Sequence, residues 1–236
     1  MNLKKHVPNT ITLLNLFSGC IALIFAFEEN FVLAFYFVAL GIFFDFFDGF
    51  FARLFNVTGP LGVQLDSLAD MVTSGVVPGV VMYKMLLNTV PGHDLPTYVP
   101  YLGFLITLGS CYRLAKFNID TRQSDSFIGL PTPANALLIL SLPLVLANTD
   151  SLTVLEMLVN PWLLLVVTFF SAFILNAELP LFSLKVKEFS IKENALQLIF
   201  LVLSLILLLL CGYLGVTLTI LLYVLLSAVS NKLSAR

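Results

Sequence analysis

Eight stretches of about 20 apolar residues dominate this chain, near 10–27, 32–51, 64–87, 97–117, 133–148, 159–177, 195–211 and 213–230. A hydrocarbon layer about 30 Å thick is crossed by an α-helix of about 20 residues, and backbone polar groups inside it must find partners within the protein. None of the stretches alternates polar and apolar residues as a barrel strand does. The pattern predicts an all-α, polytopic integral membrane protein with about eight transmembrane helices. The last two share one apolar run, divided at Cys211-Gly212-Tyr213-Leu214-Gly215, where two glycines let the chain turn. The fifth is the shortest.

Composition agrees. Of 236 residues, 59% are apolar and 11% charged, against about 45–50% and about 25% in soluble chains. The mean hydropathy of +1.00 and the 22 Phe exclude disordered and fibrous classes. A net charge of −2 offers no basic field for nucleic acid. Cys20, Cys111 and Cys211 sit in apolar runs without C-x-x-C spacing or a neighbouring His, and read as buried thiols. His6 and His93 read as solvated or interfacial. Lys4 and Lys5 precede the first span as in a signal peptide, but the length of that span and the seven behind it argue against cleavage. With no internal repeat or soluble insertion, the chain reads as one membrane-embedded domain over 1–236, with a core about 8–180 and a C-terminal helix pair about 195–230.

Basic residues set the orientation, because Lys and Arg accumulate on the cytoplasmic side. With a cytoplasmic N-terminus, Lys4, Lys5, Arg53, Arg113, Lys116, Arg122, Lys185, Lys187, Lys192, Lys232 and Arg236 all fall at cytoplasmic ends, and the C-terminus is cytoplasmic too. Lys84 alone falls near an outer end, where its stem can snorkel. The outer loops carry Glu28, Glu29, His93, Asp94, Asp150 and Glu156.

Four carboxylates stand out against this background. Asp45 and Asp48 precede the cytoplasmic end of the second span, and Asp66 and Asp70 follow the start of the third. The short connection predicts antiparallel neighbours with all four acids at one depth. At 100° per residue, Asp45 and Asp48 share a face with Gly41 and Ala52, opposite the phenylalanines at 43, 44, 46, 47, 50 and 51. Gly62, Asp66, Ala69, Asp70 and Thr73 likewise share a face. Four acids so close repel unless a counter-charge joins them, and Arg53 alone is not enough. An oxygen-only donor set selects hard divalent cations such as Mg²⁺, Mn²⁺ or Ca²⁺. Two of them about 3.5–4 Å apart form a common device for displacement at phosphorus. A cation channel or divalent-cation transporter is the competing reading, but it calls for polar groups at the midplane, and the outer halves of these spans have almost none.

Asp45-Phe-Phe-Asp48-Gly49-Phe-Phe-Ala52-Arg53, eight residues, then Gly62-Val-Gln-Leu-Asp66-Ser-Leu-Ala-Asp70 resembles the signature D-x2-D-G-x2-A-R-x8-G-x3-D-x3-D of the CDP-alcohol phosphotransferases, with every fixed position matched. The resemblance implies membrane enzymes that break a CDP–phosphate linkage and pass the substituted phosphoryl group to an alcohol. By motif it makes Asp45, Asp48 and Asp66 metal ligands for two divalent cations, Mg²⁺ or Mn²⁺. Asp70 takes part in the metal site and is the general base. Gly49, Ala52 and Gly62 line the nucleotide and diphosphate. Arg53 is either a phosphate contact or a topological anchor. The resemblance further implies a homodimer.

Asn9-x2-Thr12-x2-Asn15-x3-Gly19, Arg113-Leu-Ala-Lys116-Phe117-Asn118 and Phe127-Ile-Gly129-Leu-Pro131-Thr132-Pro133 are similar to the phosphatidylserine synthase branch, in which Arg is commoner at the Lys116 position. This branch joins CDP-diacylglycerol and L-serine, and implies a cytoplasmic-facing site in the cell inner membrane. Asn9, Thr12 and Asn15 would then join the nucleotide site. Arg113 and Lys116, one helical turn apart, offer cations to the serine carboxylate or a lipid phosphate, or else anchor topology. Asn118 and Thr132 either bind the acceptor or cap helices. A sister enzyme using glycerol 3-phosphate or inositol phosphate is the alternative within the family, although a dianionic acceptor should need more cations than Arg113, Lys116 and Arg122 supply.

Overall fold

A computed structural model describes residues 6–120, 127–182 and 194–234. Its helices are α1 (Val7–Phe27), α2 (Phe31–Leu54), α3 (Pro60–Asp70), α4 (Val77–Thr89), α5 (Leu105–Ile119), α6 (Thr132–Asn148), α7 (Leu152–Leu158), α8 (Pro161–Asn176), α9 (Ala195–Cys211) and α10 (Tyr213–Ser234). A π-helical turn, Met71–Val76, joins α3 to α4. Prolines open α1, α3, α6 and α8, where a missing N–H costs nothing. Asn30 and Asn160 cap α2 and α8 by accepting from Leu33 N and Trp162 N. The π turn also has a local cause. Pro78 cannot donate to Ser74 O and its ring crowds that carbonyl, so the helix widens just before it.

The bundle is built around α1, whose buried side is small and polar: Pro8, Thr12, Asn15, Ser18, Gly19, Ala22 and Ala26. Leu13, Leu14, Phe17, Ile24 and Phe27 face outward. This is the inverse of a soluble amphipathic helix and suits lipid, where tails are as apolar as Leu and helices associate through close packing of small residues. α1 packs against α2, α3, the π turn and α4; α5 packs on α8, and α10 on α6 and α9. On α2, Phe43, Phe46 and Phe50 project outward while Gly41 and Asp48 are buried, as their helical phase predicts.

Each of the eight expected stretches is helical, but among the described residues four helices are long and apolar enough to cross a membrane: Val7–Phe27, Phe31–Leu54, Pro60–Gly92 and Tyr213–Ser230. The pair Leu152–Leu158 and Pro161–Asn176, bent by 67°, makes a fifth if counted as one span. α6 and the apolar part of α9 are shorter; at 17 residues α6 reaches about 25 Å. The turn at Gly212 falls where the glycines place it, with φ of +53° ending α9.

One expectation is corrected. Cys20 and Cys111 are exposed on the protein surface and Cys211 is partly exposed: an apolar run in lipid has an outward face, so hydropathy does not imply burial. α2 and α3 each pack chiefly on α1 and face each other across a cavity, where Asp45, Asp48 and Asp66 meet. One short antiparallel ladder was also unforeseen, Phe127–Ile128 against Pro180–Leu181.

Lys4, Lys5, Arg122, Lys185, Lys187, Lys192, Arg236 and the side chain of Lys232 lie outside what is described. Lys84 pairs with Glu29 at 3.2 Å, at the end of the bundle opposite Asp45 and Asp48.

Candidate active site

The end of α2 and the start of α3 converge on a cavity of about 420 Å³. Asn9, Thr12, Asp45, Asp48, Gly49, Ala52, Arg53, Gly62 and Asp66 line it, with Pro8, Val57, Thr58, Gly59 and Val63. Asp45, Asp48 and Asp66 each offer a carboxylate oxygen, and these oxygens lie within 4.8 Å of one another. Asp48 is buried and the other two half-buried. Among hydrogen-bonded groups, Thr12 Oγ1 donates to Asp48 Oδ2 at 2.5 Å. The three acids present hard oxygen donors alone, a set that fits a divalent cation.

Asp70 lies beside this trio, near enough to Asp45 and Asp66 for the charges to interact. It is one helical turn beyond Asp66, about 6 Å along the axis, and its Oδ1 accepts from Asn15 Nδ2 at 3.1 Å. α1 therefore carries two donors three residues apart, Thr12 for the acid of α2 and Asn15 for the deeper acid of α3. Asn15 is fully buried and does not line the cavity.

Gly49 and Gly62 leave space instead of permitting helix contact. A Cβ on Gly49 would lie 3.4 Å from Arg53 Nη1, and one on Gly62 would lie 3.6 Å from Asn9 Oδ1, both ordinary distances. No packing demand explains either glycine; what a side chain there would occupy is the cavity.

The acceptor candidates divide. Arg113 is buried, with Cζ 5.9 Å from the Phe117 ring centroid, and near enough to Asp70 for the charges to interact. Its Nε and Nη2 find no hydrogen-bond partner among the described residues. These two nitrogens share one edge of the guanidinium, the edge that binds a carboxylate or phosphate side-on. Lys116 is committed to Glu178 at 3.7 Å, and Asn118 Nδ2 donates to Ser67 Oγ at 2.9 Å, tying α5 to α3. Thr132 is buried, caps nothing, and its hydroxyl is unpartnered among the described residues. The sequence reading missed Ser110 and Asn135, buried and with Ser110 Oγ and Asn135 Nδ2 in the same condition. Their signal was available as lone polar residues inside apolar helices.

Residues 5–174 match the family model described as CDP-alcohol phosphatidyltransferase. The chain belongs to this family. Relatives include a CDP-diacylglycerol–serine O-phosphatidyltransferase of Bacillus subtilis (strain 168), 37% identical over 133 residues, which are 55% of this chain and 70% of that protein. A protein of the same name from Helicobacter pylori (strain J99) is 37% identical over 134 residues, 56% of this chain and 54% of its own length. The archaetidylserine synthase of Methanothermobacter thermautotrophicus is 31% identical over 150 residues, 60% of this chain and 61% of its own. The family match covers the cavity, Asp70 and Arg113, and ends before α9 and α10. In this family member, the carboxylate trio beside a cavity lined by Gly49, Ala52 and Gly62 could hold divalent cations.

Proposed function

We propose that this protein transfers the phosphatidyl group of CDP-diacylglycerol to the hydroxyl of L-serine, yielding phosphatidylserine and CMP. The observation that carries the reading is the convergence of Asp45, Asp48 and Asp66 within 4.8 Å on a cavity whose floor carries Gly49, Ala52 and Gly62. The names of the relatives support it. Asp45, Asp48 and Asp66, with Asp70 beside them, would hold Mg²⁺ or Mn²⁺. Bound there, two such ions supply positive charge to the diphosphate and the departing CMP.

The chain's own groups do the rest. Thr12 holds Asp48, while Asn9 and Arg53 border the space for the nucleotide and diphosphate. Asp70 takes the proton from the serine hydroxyl. The serine oxygen attacks the phosphorus joined to diacylglycerol, the new O–P bond forms, and the bond to CMP breaks with its electron pair leaving on CMP. No covalent enzyme intermediate is required; exchange of label from CMP into CDP-diacylglycerol without serine would contradict this.

Among the described residues, the cation supply supports serine over a phosphorylated acceptor. One guanidinium edge on Arg113 matches one carboxylate, while Lys116 is shared with Glu178. A dianionic glycerol 3-phosphate or inositol phosphate would call for more. Transport of divalent cations is disfavoured by what lies beyond the acids. Further along α1 and α4 the described buried residues, Ala22, Ala26, Val77, Val80 and Val81 among them, carry no charged side chain.

In this reading the acyl tails stay in the bilayer, all eight helical stretches traverse or enter it, and the cavity and both termini face the cytoplasm at the cell inner membrane. The working unit is a homodimer. The test is CMP release by purified protein in vesicles containing CDP-diacylglycerol. Release is expected when serine and Mg²⁺ or Mn²⁺ are both present. Release with glycerol 3-phosphate in place of serine would move the protein to the sister branch, and none with any alcohol would overturn the reading.

A further inference from the structure

Resting on that transferase reading, we infer that Thr73 is a positioning residue for catalysis: through Asn15 it fixes which oxygen of Asp70 meets the acceptor hydroxyl. Thr73 Oγ1 donates to Asn15 Oδ1 at 2.8 Å, with the Asn15 carbonyl also near at 3.3 Å. A hydroxyl hydrogen directed at Oδ1 decides the amide's orientation, so Nδ2 is the atom left to face Asp70. It donates to Asp70 Oδ1 at 3.1 Å. Oδ1 is thereby engaged as an acceptor, and Oδ2 is the oxygen left to take the proton.

The surroundings are built for this chain of bonds. Asn15 and Thr73 are fully buried, and Asp70 is 7% exposed. Thr73 lies in the π turn that directly follows Asp70, and such turns often sit at functional sites. Two other helices give way to it. A Cβ on Gly19 of α1 would collide with Thr73 Oγ1, and one on Gly41 of α2 would lie 2.7 Å from Thr73 Cγ2 and 2.8 Å from Asn15 Oδ1. Three elements thus meet at one side chain. This also moves Asn15 from the nucleotide site, where its motif suggests it belongs, to the support of the base.

Thr73→Val keeps the shape and removes the hydroxyl. In CMP-release assays on the full-length protein it is expected to lower kcat at least about tenfold, the scale on which loss of an orienting partner acts. KM for serine and for CDP-diacylglycerol should stay within about twofold and thermal unfolding should be little changed. Thr73→Ser should restore most of the rate. In an Asn15→Ala background, Thr73→Val should cost nothing more, because the relay is already cut. Unchanged kcat in Thr73→Val, no rescue by Thr73→Ser, or the same fold-loss in the Asn15→Ala background would each overturn the inference. Wild-type protein that transfers to no alcohol would overturn the functional reading, and this with it. An active wild type with a fully active Thr73→Val would overturn the inference alone.

Discussion

Thr12 donates its side-chain hydrogen bond to Asp48 across 2.5 Å, linking α1 to the acid-bearing face of α2. The bond orients a carboxylate whose neighbours in the same cluster, Asp45 and Asp66, are also acidic. It explains why a threonine, with no obvious packing role, sits in the small stripe of α1.

Removing that donor should lower activity without unfolding the protein. Thr12→Val is expected to cost about 10–100-fold in kcat/KM, the range for partners that orient a ligating group. Steady-state CMP release measures the loss, and a thermal melt in detergent should move by only a few degrees. Wild-type kinetics in Thr12→Val would contradict the role given to it.

The glycines should separate into two kinds. Gly49→Ala meets only ordinary contacts, so its stability should match wild type while use of CDP-diacylglycerol falls. Gly19→Ala collides with Thr73 in the closely packed crossing and should lose about 1–3 kcal/mol of stability. Thermal unfolding beside the transfer assay distinguishes them. Equal destabilisation by both would contradict the division.

Arg113 makes its own prediction. Arg113→Lys preserves charge but not the two-nitrogen edge, so KM for serine should rise at least about tenfold, the size of a bidentate charge-assisted contact. KM for CDP-diacylglycerol should hardly move. A change confined to CDP-diacylglycerol would reassign the residue to the lipid phosphate.

Chelation and acid-to-amide variants test the carboxylates one at a time. Excess EDTA should abolish transfer and added Mg²⁺ or Mn²⁺ restore it. Asp66→Asn should lose metal binding and turnover together, whereas Asp70→Asn should lose turnover with most metal binding kept. Isothermal titration with Mn²⁺ reads the difference. Equal loss of binding in both variants would place Asp70 among the principal ligands.

Much of this was legible in the sequence because lipid simplifies the code. Helical phase alone put Asp45 and Asp48 on the small face of α2 and turned the phenylalanines outward, since every residue of a spanning helix faces either lipid or protein. Spacing brought Asp66 to the same place. Phase did not reveal that Asn15 of α1 is the partner of Asp70, because which side chain a neighbouring helix presents depends on packing between elements distant in sequence. The short connection did bring α2 and α3 face to face, with the cavity between their acidic faces. The π turn leaves a trace in Pro78, yet its consequence, Thr73 seated against Gly19 and Gly41, arises from three elements distant in sequence. The two-strand ladder has no periodic signal at all, being two residues long on each side.

The account's central claim is that Asp45, Asp48 and Asp66 stand together because divalent cations hold them there. Anomalous scattering from crystals grown with Mn²⁺ and a CDP-lipid tests it most directly. The account predicts manganese peaks among those three carboxylates, lost in Asp66→Asn. Carboxylates splayed apart, or manganese elsewhere with none at this cavity, would contradict it.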